Sequence, residues 1–165
     1  ASAGGNLCNG SPAGDSVPAM VAAGAVVTIQ GPNGRRELKV EDVPAGPGRT
    51  NLKPGEILVS FTLPPRPAGS SDAYLRMIPR TEMDIAVVGA GACVELTNRG
   101  KEFKSVRIAL GAVAPTPLFA SQASELLAGK PVSDESIAEA AEADLRELLS
   151  AWRDAKNQYR RDAWK

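Results

Sequence analysis

The chain has 165 residues, enough for one domain or two small ones, with 43% hydrophobic residues to form a core. Its 19 basic and 19 acidic residues cancel, so the charge does not indicate a nucleic-acid or acidic-lipid partner. Metal and iron–sulfur sites need clustered ligands, whereas this sequence has no histidine and only two distant cysteines, Cys8 and Cys93.

The opening stretch, residues 2–19, concentrates glycine, asparagine, serine and aspartate just before a short apolar run. Glycine leaves backbone N–H groups uncovered, and successive N–H groups in a turn can form an anion-binding nest. We therefore predict a shaped loop here, neither strand nor helix. The glycine spacing fits neither a dinucleotide-binding βα turn nor a P-loop. From the residues alone, a structural turn and a phosphate cradle are equally favoured.

A short helix is predicted next, capped by Asp15 or Ser16 and running to Gly24. Strands 25–30 and 36–40 then form a hairpin around a Gly-Pro-Asn-Gly turn. Residues 41–54 are predicted to be loop with one helical turn at the start, and 56–63 to be a strand. The segment 64–71 is rich in proline, glycine and serine and is the predicted linker between units 1–66 and 67–165.

The second unit is predicted to hold three antiparallel strands, at 74–79, 85–96 and 103–113. The small residues at 89–92 imply that other groups approach this middle strand closely on each face. Helices are predicted at 118–129 and from Ser133 onward. The second helix has one apolar face, which we expect to pack on the sheet: Ile137, Ala141, Leu145, Leu148, Leu149 and Trp152. The polar segment 155–165 is compatible with a helix.

The cysteines and the hydropathy pattern bear on the compartment. Two isolated cysteines are typical of small buried side chains in a reducing cytosol, although a disulfide between Cys8 and Cys93 stays an open alternative. The sequence shows neither a signal peptide nor a long apolar span. We therefore expect a soluble, cytoplasmic chain.

Several stretches together carry a resemblance to one family. The string Ala-Gly-Gly-Asn-Leu-Cys-Asn-Gly-Ser-Pro-Ala-Gly-Asp, from Ala3 to Asp15, resembles the second FAD-binding stretch of the FAD-binding (medium) subunit of molybdenum hydroxylases. This family includes xanthine dehydrogenase and the carbon monoxide dehydrogenase medium chain. Residues 74–91, 108–117 and 123–131 resemble the C-terminal domain of the same subunits, in family order. Because the sequence begins inside the first motif, we expect it to lack the N-terminal part of such a subunit.

The resemblance implies an α+β fold: the end of a flavin-binding α/β domain, then a three-stranded antiparallel sheet packed with C-terminal helices. It also implies a set of FAD-binding residues: Ser2, Ala3, Gly4, Gly5, Asn6, Ser11, Asp15, Leu58 and Arg76. The amides near the start of this set would hold the diphosphate, and Asp15 would accept hydrogen bonds from sugar or ribityl hydroxyls. For Asp15, a helix N-cap is an alternative or additional role.

Two further assignments in this set have equally favoured alternatives. Leu58 would touch the flavin, or it is an ordinary core leucine. Arg76 would place a cation near the flavin ring, or it is an exposed strand arginine. The loop 80–84, with Glu82 and Asp84, is expected to border the ring only as second choice to a solvated turn. No residue pattern indicates a nucleophile or a general acid–base pair, so no catalytic residue is assigned.

The function implied by the resemblance is electron transfer through FAD. Such a subunit takes electrons from the clusters of an iron–sulfur small subunit, which receives them from a molybdenum cofactor large subunit, and passes them to an external acceptor. The alternative is an assembly module that docks on these partners without binding FAD. A vanillyl-alcohol-type FAD oxidase is disfavoured, since no histidine is available for covalent flavin attachment. Without the family's first phosphate-binding loop, we expect weak or no FAD binding by this chain alone.

Overall fold

The computed structural model describes residues 2–80 and 84–146. Its first half begins with two short helices and continues with five strands and a 3-10 turn at Val40–Asp42: α1 (Ala3–Asn9), α2 (Ser16–Ala22), β1 (Val26–Gly31), β2 (Gly34–Lys39), β3 (Pro44–Gly46), β4 (Arg49–Thr50) and β5 (Ile57–Thr62). The predicted helix before the hairpin, the hairpin itself, the helical turn after it and the strand near 57 are all confirmed.

The first sheet has the order β2-β1-β5, with both pairs antiparallel. The register of β1 against β5 shifts by one residue between Thr28 and Ile29. Thr28 pairs with Ser60, whereas Ile29 pairs with Leu58. Because of this bulge, Leu58 lies on the same face as the fully buried Ile29 and packs against the core. Its neighbour Ile57 is exposed.

The second sheet has four antiparallel strands in the order β6-β7-β8-β9: β6 (Ser70–Met77), β7 (Val88–Thr97), β8 (Glu102–Gly111) and β9 (Leu118–Phe119). The predicted meander is confirmed, and β9 adds a short fourth strand to it. The prediction of helix from residue 118 was wrong at its start. Leu118 and Phe119 pair with Leu110 and Ala109, so α3 spans only Ser121–Leu127. Tertiary strand pairing here outweighs local helix preference.

Residues 134–146 form a further helix, α4. As predicted, Ser133 caps it, because the Ser136 N–H donates to the Ser133 Oγ at 3.2 Å. Three residues of its predicted apolar face, Ile137, Ala141 and Leu145, line an apolar groove beside β7 and β8, as expected of a face that lies toward the sheet. The packing there is incomplete, because Ile137 and Leu145 are 49% and 50% exposed, whereas the smaller Ser136 and Ala140 are buried. Leu148, Leu149, Trp152 and residues 155–165 lie outside the described part.

Helix α2 packs directly on the second sheet through glycines. A Cβ at Gly91 would lie 2.8 Å from the Pro18 carbonyl oxygen, and one at Gly111 would lie 2.6 Å from the Pro18 ring. These separations are too short for any side chain, so glycine is what lets helix and sheet meet. The close approach expected around residues 89–92 is confirmed at Gly91.

Two apolar clusters form the core. The first joins both halves of the chain, since Leu7, Val17 and Val27 share it with Ala109 of β8. The second lies between the second sheet and its helices, around Phe103, Val106, Ala123, Leu127 and Ala140. Both cysteines are free, and the prediction of two buried thiols was wrong, because Cys8 is exposed and Cys93 is only half-buried. Within residues 2–80 and 84–146, no helix is long and apolar enough to cross a bilayer.

Candidate functional site

Most of the opening stretch is helical, since α1 spans Ala3–Asn9 and α2 begins at Ser16, and the prediction of a shaped loop was therefore wrong outside residues 10–15. The Gly5 N–H donates to the Ser2 Oγ at 3.1 Å, and the Asn6 N–H donates to the Ser2 carbonyl oxygen at 2.9 Å. Ser2 thus supplies an N-cap that local composition did not reveal. Leu7 is completely buried, and Gly10 ends the helix in the left-handed conformation with φ 64°. A good cap at each end and one buried anchor outweigh the poor helix propensity of Gly4 and Gly5.

The start of α1 still offers backbone donors to a ligand. The amides of Ala3 and Gly4 precede the first helical hydrogen bond, which is the one from Asn6 to Ser2. A Cβ at Gly4 would meet nothing within 4 Å, so this glycine faces open space. A Cβ at Gly5 would instead lie 2.8 Å from the Ser2 Oγ. Of the predicted amide donors, Gly5 and Asn6 donate to Ser2 within the cap, whereas those of Ala3 and Gly4 come before the first helical hydrogen bond.

Asn6 and Ser11 use their side chains to shape the connection between α1 and α2. The Asn6 amide nitrogen donates to the Ser16 Oγ at 3.1 Å, which ties α1 to the first residue of α2. The Ser11 Oγ accepts from the Ala13 N–H at 3.3 Å within the intervening turn. Both contacts hold α1 and the beginning of α2 side by side.

Asp15 occupies the N-cap position of α2, as predicted, but its side chain makes no cap hydrogen bond. Its carboxylate reaches across to β6 instead. Oδ2 accepts from the Arg76 guanidinium at 2.6 Å, and Oδ1 accepts from the Tyr74 hydroxyl at 3.2 Å. Tyr74 and Arg76 are two apart in β6, so they project from the same face of the second sheet. The structure thus brings together Asp15 and Arg76, which the sequence analysis had chosen separately.

The Asp15–Arg76 pair is accessible, because the two side chains are 39% and 38% exposed. Each carboxylate oxygen can accept more than one hydrogen bond, so Asp15 keeps acceptor capacity for ligand hydroxyls. The pKa of Tyr74 is raised to about 12, first by burial and then by the neighbouring Asp15 carboxylate. The phenol is therefore a protonated hydrogen-bond donor at neutral pH.

Tyr74 is a member of this cluster that the sequence analysis did not single out. The sequence did contain a signal for it. Tyr74 lies two residues before Arg76 in a predicted strand, and the strand predicted to pair with it carries glycines. In the structure, Tyr74 pairs with Gly91, and a Cβ at Gly89 would lie 2.5 Å from the Tyr74 hydroxyl. Gly89 therefore leaves the space that this side chain occupies.

The other predicted residues lie in different surroundings. Leu58 is half-buried on β5 and packs against the first core cluster, as expected if it is an ordinary core leucine. In the loop after β6, the Arg80 Nε donates to the Asp84 Oδ2 at 3.1 Å. Residues 81–83, including Glu82, lie outside the described part.

Comparison with known proteins gives consistent matches over both halves. Residues 1–66 match the family model described as the FAD binding domain in molybdopterin dehydrogenase, and residues 73–165 match the CO dehydrogenase flavoprotein C-terminal domain. The chain is 34% identical over 158 residues to a putative xanthine dehydrogenase FAD-binding subunit of Escherichia coli K12, covering 93% of this chain and 53% of that protein.

Two further matches are to carbon monoxide dehydrogenases, again over about half of their length. The carbon monoxide dehydrogenase medium chain of Afipia carboxidovorans is 36% identical, over 82% of this chain and 47% of its own length. The solved structure of a carbon monoxide dehydrogenase from Hydrogenophaga pseudoflava superposes with a TM-score of 0.81 at 32% identity, covering 87% of this chain and 49% of that one. The chain thus spans about half the length of the curated relatives it matches.

Proposed function

Because this chain belongs to the FAD-binding subunits of the molybdenum hydroxylase family, we propose that its residues form part of the FAD site of an electron-transferring flavoprotein subunit. The observation that carries this proposal is the contact of Asp15 with Arg76 at 2.6 Å, at the start of α2, which the hydrogen bond from Asn6 to Ser16 ties to α1. The contact joins residues from the two ranges that the two family models match. In this proposal, the cofactor lies where these ranges meet.

The residues present fit the chemical parts of FAD. The amides of Ala3 and Gly4, which come before the first helical hydrogen bond, would donate to the diphosphate, with Ser2 capping the helix through Gly5. The open side of Gly4 gives the diphosphate room to approach the backbone. Asp15 would accept hydrogen bonds from ribityl or sugar hydroxyls through its remaining lone pairs.

The other assigned residues act on position and charge. Arg76 would bring its positive charge near the flavin ring, and its pairing with Asp15 fixes where the guanidinium lies. Asn6 and Ser11 hold α1 and α2 in their mutual arrangement through their own hydrogen bonds. Leu58 stays a proposed flavin contact, with its packing in the first core as the alternative.

FAD, when bound, collects electrons singly and passes them on in pairs. The contribution of this chain is to bind and orient the cofactor and to set the charge around it. We propose that the electrons come from an iron–sulfur small subunit, supplied in turn by a molybdenum cofactor large subunit, and go to an external acceptor. Support comes from the relatives described as medium chains or FAD-binding subunits of dehydrogenases. The free thiols of Cys8 and Cys93 suit a cytoplasmic location.

The alternative, a docking module that binds no FAD, is favoured by a different observation. Leu75 and Met77 on β6 are 76% and 65% exposed, and Ile85 is 75% exposed. Neighbouring apolar side chains left this open are typical of interaction surfaces. Co-purification with iron–sulfur and molybdenum subunits but without yellow flavin absorbance would support this alternative over the FAD site.

Equilibrium dialysis of the chain against FAD, extended to millimolar FAD, tests the proposed site. The sequence left weak binding and no binding open, and the proposed site commits to weak binding. We expect a dissociation constant above micromolar that is measurable at millimolar FAD, since half of the relatives' length is not represented here. Asp15→Asn should weaken binding about tenfold, because hydrogen bonds to a charged acceptor are the stronger kind. Glu95→Gln is the matched control, since Glu95 also pairs with a cation in the second sheet, Lys104. Equal affinities of the two variants would refute the role of Asp15, and micromolar or tighter binding by the unaltered chain would contradict the expected weakness.

A further inference from the structure

The carboxylate of Asp15 is held from two sides by one strand. Arg76 donates to Oδ2 and Tyr74 donates to Oδ1, so each oxygen has its own partner on β6. A carboxylate with a single partner can rotate about that hydrogen bond, whereas two partners on different oxygens fix its plane. The remaining lone pairs of Asp15 therefore have one defined direction.

Tyr74 is itself fixed in place by its surroundings. Its side chain occupies space above Gly89, where a Cβ would come within 2.5 Å of the hydroxyl and 3.2 Å of the ring. β6 is an edge strand that pairs with β7 over its whole length, from Ser70 opposite Glu95 to Met77 opposite Val88. The Tyr74 hydroxyl that donates to Asp15 thus belongs to a side chain on a fully paired strand.

We propose that Tyr74 is a positioning residue for FAD, which orients the Asp15 carboxylate toward the ribityl or sugar hydroxyls of the cofactor. This inference rests on the proposed function, because it requires that Asp15 binds FAD. Tyr74 acts only through Asp15, and Gly89 is required because it leaves room for the phenol. Asp15 and Tyr74 then act as one unit, in which Tyr74 loses its effect when the Asp15 carboxylate is removed.

The test measures FAD affinity by equilibrium dialysis for the unaltered chain, Tyr74→Phe, Asp15→Asn and the double variant. Tyr74→Phe removes one hydroxyl and keeps the ring, so we expect about fivefold weaker binding. In the Asp15→Asn background, the same change should have no further effect, since coupled residues are non-additive. Ser70→Ala is the control, because it removes a hydroxyl from β6 that donates to Pro67 and not to Asp15. Thermal unfolding of each variant verifies that it is folded.

A merely structural role of Tyr74 would weaken FAD binding equally with and without the Asp15 carboxylate, and that result would overturn the inference. The inference would also be overturned if Tyr74→Phe bound FAD as tightly as the unaltered chain. The proposed function would still stand in that case, provided that Asp15→Asn bound FAD more weakly. A second variant, Gly89→Ala, displaces the phenol without removing it and should reproduce the Tyr74→Phe loss. If the unaltered chain binds no FAD even at millimolar concentration, the proposed function fails, and this inference fails with it.

Discussion

The guanidinium of Arg107 on β8 donates to the carbonyl oxygen of Val21 in the last turn of α2, with 2.9 Å between Nη2 and the oxygen. The same carbonyl oxygen also accepts from the Gly24 N–H at 3.0 Å, so Arg107 adds a side-chain donor to a backbone bond at the end of the helix. The same guanidinium pairs with Glu41 at 3.0 Å and lies 4.2 Å from the ring centroid of Phe119. Arg107 therefore fastens the second sheet to α2 and to the 3-10 turn of the first half.

Replacing this arginine should destabilise the fold. Arg107→Gln removes the charge and most of the donors, so Glu41 keeps its longer contact with Lys39, at 3.7 Å, and loses the closer one with Arg107. We expect a loss of about 2 kcal/mol in the free energy of unfolding, as for hydrogen bonds that involve a charged group. Urea denaturation measures it. Lys104→Gln is the control, because Lys104 forms a more exposed pair with Glu95 and should cost less than about 1 kcal/mol. Equal losses in both variants would contradict the role given to Arg107.

The contact of α2 with the second sheet predicts a strong effect of one methyl group. Gly91→Ala places a Cβ 2.8 Å from the Pro18 carbonyl oxygen, and the backbone there cannot move aside as a flexible side chain would. Such overpacking should cost about 1–3 kcal/mol in unfolding free energy. Gly4→Ala is the matched control, since its Cβ would face open space in a helix and should stabilise the chain slightly. A neutral Gly91→Ala would mean that α2 does not pack as described.

Ala112 is a non-glycine residue with φ 66°, and its N–H donates to the Pro12 carbonyl oxygen at 2.8 Å. The left-handed conformation costs a residue with a Cβ roughly 1–2 kcal/mol. Ala112→Gly removes that cost but adds chain entropy to the unfolded state, so we expect a net stabilisation of up to about 1 kcal/mol. Ala92→Gly, within the regular strand β7, should instead destabilise the chain. Calorimetry would contradict the account if both substitutions destabilised it alike.

Glu56 should make stability depend on pH in acid. The pKa of Glu56 is lowered from 4.5 to about 2, mainly because the Arg36 guanidinium donates to it and then because the Lys53 N–H does. With the lower pKa in the folded state, the unfolded chain binds more protons below pH 4.5. The contribution of Glu56 is thus complete above that pH and is lost as the pH falls toward 2. Glu56→Gln should flatten this part of the stability profile, and an unchanged acid slope would contradict the assignment.

Local turn chemistry made part of the fold predictable. The hairpin β1–β2 follows from the Gly-Pro-Asn-Gly turn between two strand-like runs, and Gly31 indeed pairs with Gly34. The close approach of other groups around residues 89–92 followed from their small size. In the same way, Ser133 was identifiable as a helix cap from its position before acidic residues.

The errors arose where distant contacts decide the structure. The short strand at Leu118 exists because it pairs with Leu110, and nothing in its own sequence shows this. The helix α1 depends on the Ser2 cap and on the burial of Leu7 in a core built by later residues. The candidate site also depends on contacts between residues that are far apart in the sequence. Asp15 is separated from Tyr74 by 59 positions and from Arg76 by 61. The family resemblance supplied Asp15 and Arg76 one by one, but no pattern in the sequence predicted their contact with each other or with Tyr74.

The central claim is that the start of α1 and the Asp15–Arg76 pair bind FAD. The most direct measurement is a titration of the 15N-labelled chain with FAD, followed through its backbone amide resonances. The account predicts saturable shifts concentrated at Ala3, Gly4 and Asp15 and on β6 around Arg76, with only small changes in the hairpin β1–β2. If these amides stay unshifted at millimolar FAD, or if the shifts fall on the hairpin instead, the account is contradicted.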